Sequence, residues 1–124
     1  MPIIIFVDDS ETALASTNMV VSSMPVESHQ YLSATEALAA INGGLTPDLI
    51  VTDLNMPVMN GFEFLAELRK LAQMKRTPVL MLTTETSDDM KQKGKALGLT
   101  GWIVKPFNPS QLKAAITRVL RLDS

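Results

Sequence analysis

The segment Ile3-Ile4-Ile5-Phe6-Val7-Asp8-Asp9 opens on five consecutive branched or aromatic apolar residues and closes on two carboxylates. A run so short and so rich in branched side chains reads as a strand covered on both faces, and it is far below the roughly 20 apolar residues that a membrane helix needs. Three more runs repeat the pattern: Leu49-Ile50-Val51, Val79-Leu80-Met81-Leu82 and Trp102-Ile103-Val104. The four together predict core parallel strands. A fifth candidate, Val26 to Leu32, carries Glu27, Ser28, His29 and Gln30 in its middle, which suits a sheet edge.

Helical spacing fills the intervals. Leu112, Ala115, Ile116, Val119 and Leu120 form one helical stripe, started by Asn108 as cap, Pro109 at the first helical position and Gln111 placed to complete a capping box. Ser33 and Glu36 mark another start, with Ala34, Ala37, Leu38 and Ile41 on one face and Gly43-Gly44 as its end. Leu65, Leu68 and Ala72 predict a helix after Gly61, and Thr86-Ser87-Asp88-Asp89 opens a polar helix that ends near Gly98. Ser10 to Met24 is expected to be helical mainly from its place between two strands, because Thr12, Thr17, Val20 and Val21 are weak helix formers.

Strands alternating with helices imply right-handed β-α-β crossovers, so the expected fold is α/β: a five-stranded parallel sheet wound as (βα)5 with helices on both faces. A polar second strand at the edge gives the flavodoxin-like order 2-1-3-4-5. The chain of 124 residues is expected to form one domain, residues 1–124, with no output domain attached. Eleven Lys and Arg against 13 Asp and Glu leave a net charge of −2 with no basic stripe, which argues against nucleic acid as a partner. The absence of cysteine removes disulfides and thiolate metal sites, and a single histidine cannot build a multi-histidine one. With no membrane-length apolar run, no membrane association is expected and the expected location is cytoplasmic.

Ligands of open α/β sheets bind beyond the carboxyl ends of the strands, so the residues that follow each strand decide the chemistry. After the first strand come Asp8 and Asp9; after the third, Asp53; at the end of the fourth, Thr83; after the fifth, Lys105. Three carboxylates in one crevice repel one another unless they bind protons or a cation. An all-oxygen acidic site suits Mg2+, which binds through a few carboxylates and a phosphate. Lys105 offers a point charge for a phosphoryl oxygen or a carboxylate, and Thr83 a hydroxyl donor. These are the parts of phosphoryl transfer, with Asp53, alone at the end of a central strand, as the nucleophile and Asp8 with Asp9 as the metal-holding pair.

Asp8-Asp9, Asp53-Leu54-Asn55-Met56-Pro57 with Gly61, Thr83-Thr84-Glu85 and Lys105-Pro106-Phe107, in that order, resemble the receiver domain of bacterial two-component response regulators over essentially the whole chain, and most of all its stand-alone chemotaxis members. The resemblance implies that Asp53 takes a phosphoryl group from a phosphohistidine of a histidine kinase. It implies Mg2+ on Asp9 and Asp53, on Asp8 through water and on the Asn55 backbone carbonyl. Lys105 would contact the acyl phosphate across a cis Lys105-Pro106 bond. Thr83 would turn toward the phosphoryl group and Trp102 would swing inward, remodelling the face of the fourth helix, fifth strand and fifth helix. Tyrosine or phenylalanine is the more familiar aromatic at that position. Asn55 and Glu85 would tune how fast water removes the phosphoryl group.

On this reading the chain is a switch, not an enzyme, whose activity is limited to phosphorylating and dephosphorylating itself. Its expected partners are a histidine kinase of the chemotaxis type and a downstream protein such as a flagellar motor switch component. A relay intermediate or a phosphate sink would share every one of these residues. An aspartyl phosphatase is disfavoured because Asn55 stands where such enzymes place a second acid, and a flavin-binding relative because the first loop presents carboxylates to a phosphate. Read singly, Asp8-Asp9-Ser10 is a turn and helix cap, Trp102 strand packing, His29 a solvent-facing strand residue, the scattered methionines gap fillers, and Lys91, Lys93 and Lys95 a solvated helix face able to help dock an acidic partner.

Overall fold

In the computed structural model, which describes residues 1–122, the chain runs β1 (Ile3–Val7), α1 (Glu11–Val21), β2 (Glu27–Tyr31), α2 (Ala34–Asn42), β3 (Leu49–Thr52), α3 (Gly61–Lys70), β4 (Val79–Thr83), α4 (Asp88–Ala96), β5 (Gly101–Val104) and α5 (Pro109–Leu120). The last two residues of the expected 1–124 domain lie outside the described residues. All strand pairs are parallel and the order is β2-β1-β3-β4-β5, as the polar second strand predicts.

Alternation along the central strands sends side chains to opposite faces. Ile4, Phe6, Leu49, Val51, Leu80 and Leu82 pack with Leu14 and Val21 of α1 and Leu112 and Ile116 of α5. Ile5, Val7, Ile50 and Val79 face Ala34, Ala37 and Ile41 of α2 and Phe64, Leu65 and Leu68 of α3. Most of these side chains are fully buried, each contributing about 1.5–3 kcal/mol of hydrophobic stabilisation. A smaller cluster, Leu54, Phe62 and Met81 with Leu99 and Trp102 against it, lies toward α4. α4 itself buries only Gly94, in keeping with its polar sequence.

Four expectations need correction. β5 is the second edge of the sheet and is half-buried, because an order ending in β5 leaves nothing beyond it. Ala72 is exposed in a 3-10 turn, Ala72–Met74, since α3 stops at Lys70 and the Arg69 guanidinium donates to the Met74 and Thr77 carbonyls at 2.7 and 2.8 Å. The α5 cap is Asn108, but its side chain accepts from the Ser110 N–H, so Gln111 forms no capping box; the reciprocal box is at Asn60 and Glu63 in front of α3. His29 is half-buried beside Glu27, 2.6 Å away, and so does not simply face solvent. The other caps follow the sequence, with Ser10, Ser33 and Ser87 each accepting a first-turn N–H.

Two residues shape the loop from β3 to α3. A Cβ on Gly61 would lie 2.6 Å from the Asp53 carbonyl oxygen and 3.0 Å from Leu54 Cα, so only glycine lets α3 start this close to the end of β3. Val58 has φ of 71° and is 96% exposed, a left-handed conformation that a β-branched side chain adopts only under strain. Val58→Asn is therefore expected to raise the unfolding free energy by about 1 kcal/mol, read as a higher urea midpoint at unchanged slope; an unchanged or lower midpoint would show that the loop is not strained there.

Candidate functional site

Strand register assembles the site. Val7 is paired with Thr52, so the chain leaves β1 and β3 at the same level, and the Asp53 N–H donates to the Val7 carbonyl at 2.9 Å. Thr83 is paired with Val104, and the Lys105 N–H donates to the Thr83 carbonyl at 2.8 Å. Asp8, Asp53, Thr83 and Lys105 thus occupy one end of the sheet although 97 positions separate Asp8 from Lys105.

Carboxylate oxygens of Asp8, Asp9 and Asp53 lie within 4.8 Å of one another. Asp8 is buried, Asp53 half-buried and Asp9 exposed, so the cluster opens to solvent on the Asp9 side. Asp8 is fixed twice: Oδ1 accepts the Ser10 N–H at 2.9 Å and Oδ2 accepts from Lys105 Nζ at 2.5 Å. Asp53 Oδ1 accepts the Leu54 N–H at 2.7 Å, while Oδ2 stands 3.6 Å from the same ammonium. The turn-and-cap reading of Asp8-Asp9-Ser10 and the cluster reading both hold, because Ser10 caps α1 while its own N–H anchors Asp8.

Of the two partners open to the Lys105 ammonium, a phosphoryl oxygen or a carboxylate, the folded chain shows the second. The ammonium joins Asp8 to Asp53 and offsets one of three negative charges. The Lys105-Pro106 bond is cis, as the resemblance implies. Two units of negative charge remain among oxygen donors only, a set that fits a hard divalent cation such as Mg2+ and offers nothing to a soft metal.

Of the remaining residues, Thr83, Glu85 and Trp102 are linked to one another. Thr83 is fully buried, and its Oγ1 accepts the Glu85 N–H at 3.3 Å. Glu85 is half-buried with Oε1 accepting the Ser87 N–H at 3.0 Å, which ties its carboxylate to the start of α4. Asn55 is exposed in the loop after β3. Trp102, half-buried on β5, donates from Nε1 to the Glu85 carbonyl at 3.0 Å and meets Phe62 with ring centroids 6.2 Å apart. Of the α4 lysines, Lys93 sits 5.0 Å from the Phe62 ring centre, Lys95 is exposed and Lys91 is half-buried, so the helix face is only partly solvated.

Lys105 is the only described cation paired with the cluster, and both partners are largely shielded, with side-chain exposures of 18% for Lys105 and 9% for Asp8. Lys105→Met leaves a buried carboxylate uncompensated and is expected to cost about 2–3 kcal/mol in metal-free buffer. Chemical denaturation at neutral pH checks this, and no loss would mean that the pair contributes nothing to stability.

Comparison with known proteins agrees with this geometry. Residues 4–117 match the response regulator receiver domain. The structure of Vibrio cholerae chemotaxis protein CheY4 aligns with a TM-score of 0.90 at 44% identity, covering 96% of this chain and 98% of that one. Chemotaxis protein CheY of Pseudomonas aeruginosa is 38% identical over 85 residues, 68% of each chain. The sensor histidine kinase CheAY of Helicobacter pylori is 28% identical over 98% of this chain. Of the longer curated relatives the chain spans only a part, 15% in CheAY. Together, the match over residues 4–117, the sheet order and the likeness to CheY proteins establish that the chain belongs to the response regulator receiver domain family of two-component signalling.

Proposed function

We propose that the chain is a phosphorylation-switched binding module that accepts a phosphoryl group on Asp53 from a phosphohistidine of a histidine kinase. The observation that carries this reading is the convergence of Asp8, Asp9, Asp53 and Lys105 at one end of the sheet. Asp53 Oδ1 is engaged by the Leu54 N–H, which leaves Oδ2, facing Lys105, as the attacking oxygen. It forms a bond to phosphorus as the phosphorus–nitrogen bond breaks; the electron pair returns to the imidazole, and Asp53 becomes an acyl phosphate. Lys105 needs only a small shift from Asp8 to meet a phosphoryl oxygen.

Asp9 and Asp53, with Asp8 through water and the Asn55 backbone carbonyl, would hold Mg2+. When bound, the ion spreads the negative charge of the phosphoryl oxygens. Asn55 is exposed two residues after Asp53 and Glu85 is half-buried two residues after Thr83, and their side chains tune the approach of the water that ends the signal. Glu85 must first release Ser87 to do so.

The signal leaves through the backbone of one residue, Glu85. The Glu85 N–H is held by the Thr83 hydroxyl and the Glu85 carbonyl by the Trp102 N–H. A Thr83 hydroxyl that turns to the phosphoryl group releases the Glu85 N–H, and the displaced Glu85 carbonyl carries the indole with it. The surface formed by α4, β5 and α5 then changes for a downstream partner. Similarity to chemotaxis CheY proteins supports a chemotaxis kinase as donor and a flagellar motor switch component as target, with the chain acting in the cytoplasm.

Intact mass after incubation with acetyl phosphate and Mg2+ tests the acceptor. One phosphoryl addition is expected, absent in Asp53→Asn and in chelator. No addition under conditions that modify a known receiver, or addition retained in Asp53→Asn, would refute it. Thr83→Ala is expected to keep the addition and lose the accompanying change in Trp102 fluorescence; an unaltered fluorescence response would remove Thr83 from the route.

A further inference from the structure

Gly94 sits in the interior of α4, where glycine weakens a helix relative to alanine, and α4 is already polar and poorly anchored. The packing against it explains its presence. A Cβ there would lie 3.2 Å from Trp102 Cζ3, 3.4 Å from Trp102 Cε3 and 2.5 Å from Leu99 Cδ1. The Leu99 atom is the far end of a flexible side chain, whereas the indole is held on two other sides. Its N–H is bonded to the Glu85 carbonyl and Phe62 packs on its ring. Gly94 therefore leaves a notch in α4 against the edge of the indole's six-membered ring.

We propose that Gly94 is the positioning residue of the switch: its missing side chain seats Trp102 so that the indole N–H reaches the Glu85 carbonyl, and so couples α4 to the Thr83 corner of the site. This notch fits a tryptophan, whose fused ring reaches α4 where a single ring falls short. The inference rests on the switch reading above. It makes residues 94 and 102 a matched pair, and a methyl group at 94 should act through Trp102 and not through the helix alone.

Trp102 is the only tryptophan, so emission reports this seat directly. In Gly94→Ala the emission maximum is expected to shift to the red, acrylamide quenching to rise, and the fluorescence response to acetyl phosphate and Mg2+ to disappear, while intact mass still shows Asp53 modified. Thermal midpoints of the parent, Gly94→Ala, Trp102→Phe and the double variant complete the cycle. The added methyl is expected to lower the midpoint beside Trp102 and to leave it equal or higher beside Phe, where helix propensity favours alanine. A Gly94→Ala chain that folds only in the Phe background is the same coupling at its extreme. Unchanged emission and quenching, or an equal midpoint change in both backgrounds, would overturn the seat. A parent chain that acetyl phosphate does not modify would instead overturn the phosphoacceptor reading, leaving emission and the cycle to judge the seat alone.

Discussion

Carboxylate crowding at the ends of β1 and β3 is the constraint around which this molecule is built. Carboxylate oxygens of Asp8, Asp9 and Asp53 are brought within 4.8 Å of one another, with the pairing of Val7 with Thr52 setting the strand ends level, and like charges so close repel. Lys105 answers the repulsion from the far end of the sequence, so the charge balance depends on β5 reaching its place beside β4. The same ammonium that stabilises the resting fold is the one a phosphoryl group would recruit. On the proposed function, folding and chemistry would draw on one lysine.

The rest of the fold holds that arrangement still at one end and soft at another. β1, β3 and β4 are buried on both faces, which fixes the backbone beneath Asp8, Asp53 and Thr83. β5 is half-covered and α4 largely exposed, and the bonds from Glu85 to Thr83 and Trp102 are the ties between the rigid part and the pliable one. A switch needs this gradient, since an element packed like the core has only one arrangement to offer.

Most of this was legible in the residues. Branched apolar runs located the strands, one polar run set the edge and hence the order, and strand ends placed Asp8, Asp53, Thr83 and Lys105 together. Contacts that depend on side-chain packing across elements were not legible. The double use of the Glu85 backbone and the Gly94 notch join residues whose proximity no local pattern encodes. Ala72 continued an apolar spacing, but Arg69 turns to the Met74 and Thr77 carbonyls and the chain leaves the helix before it. β5 looked like a core strand from its three apolar residues, although the expected order 2-1-3-4-5 already left it at an edge.

With one of three carboxylates offset by Lys105, the charge cluster is left as a site for a divalent cation. Calorimetric titration with Mg2+ in the parent and in Asp9→Asn tests it most directly, because Asp9 is exposed and its substitution leaves the buried pair intact. One Mg2+ bound per chain, with affinity falling at least tenfold in Asp9→Asn, about 1.4 kcal/mol, is the predicted result. No saturable heat in the parent, or equal affinity in both, would contradict it.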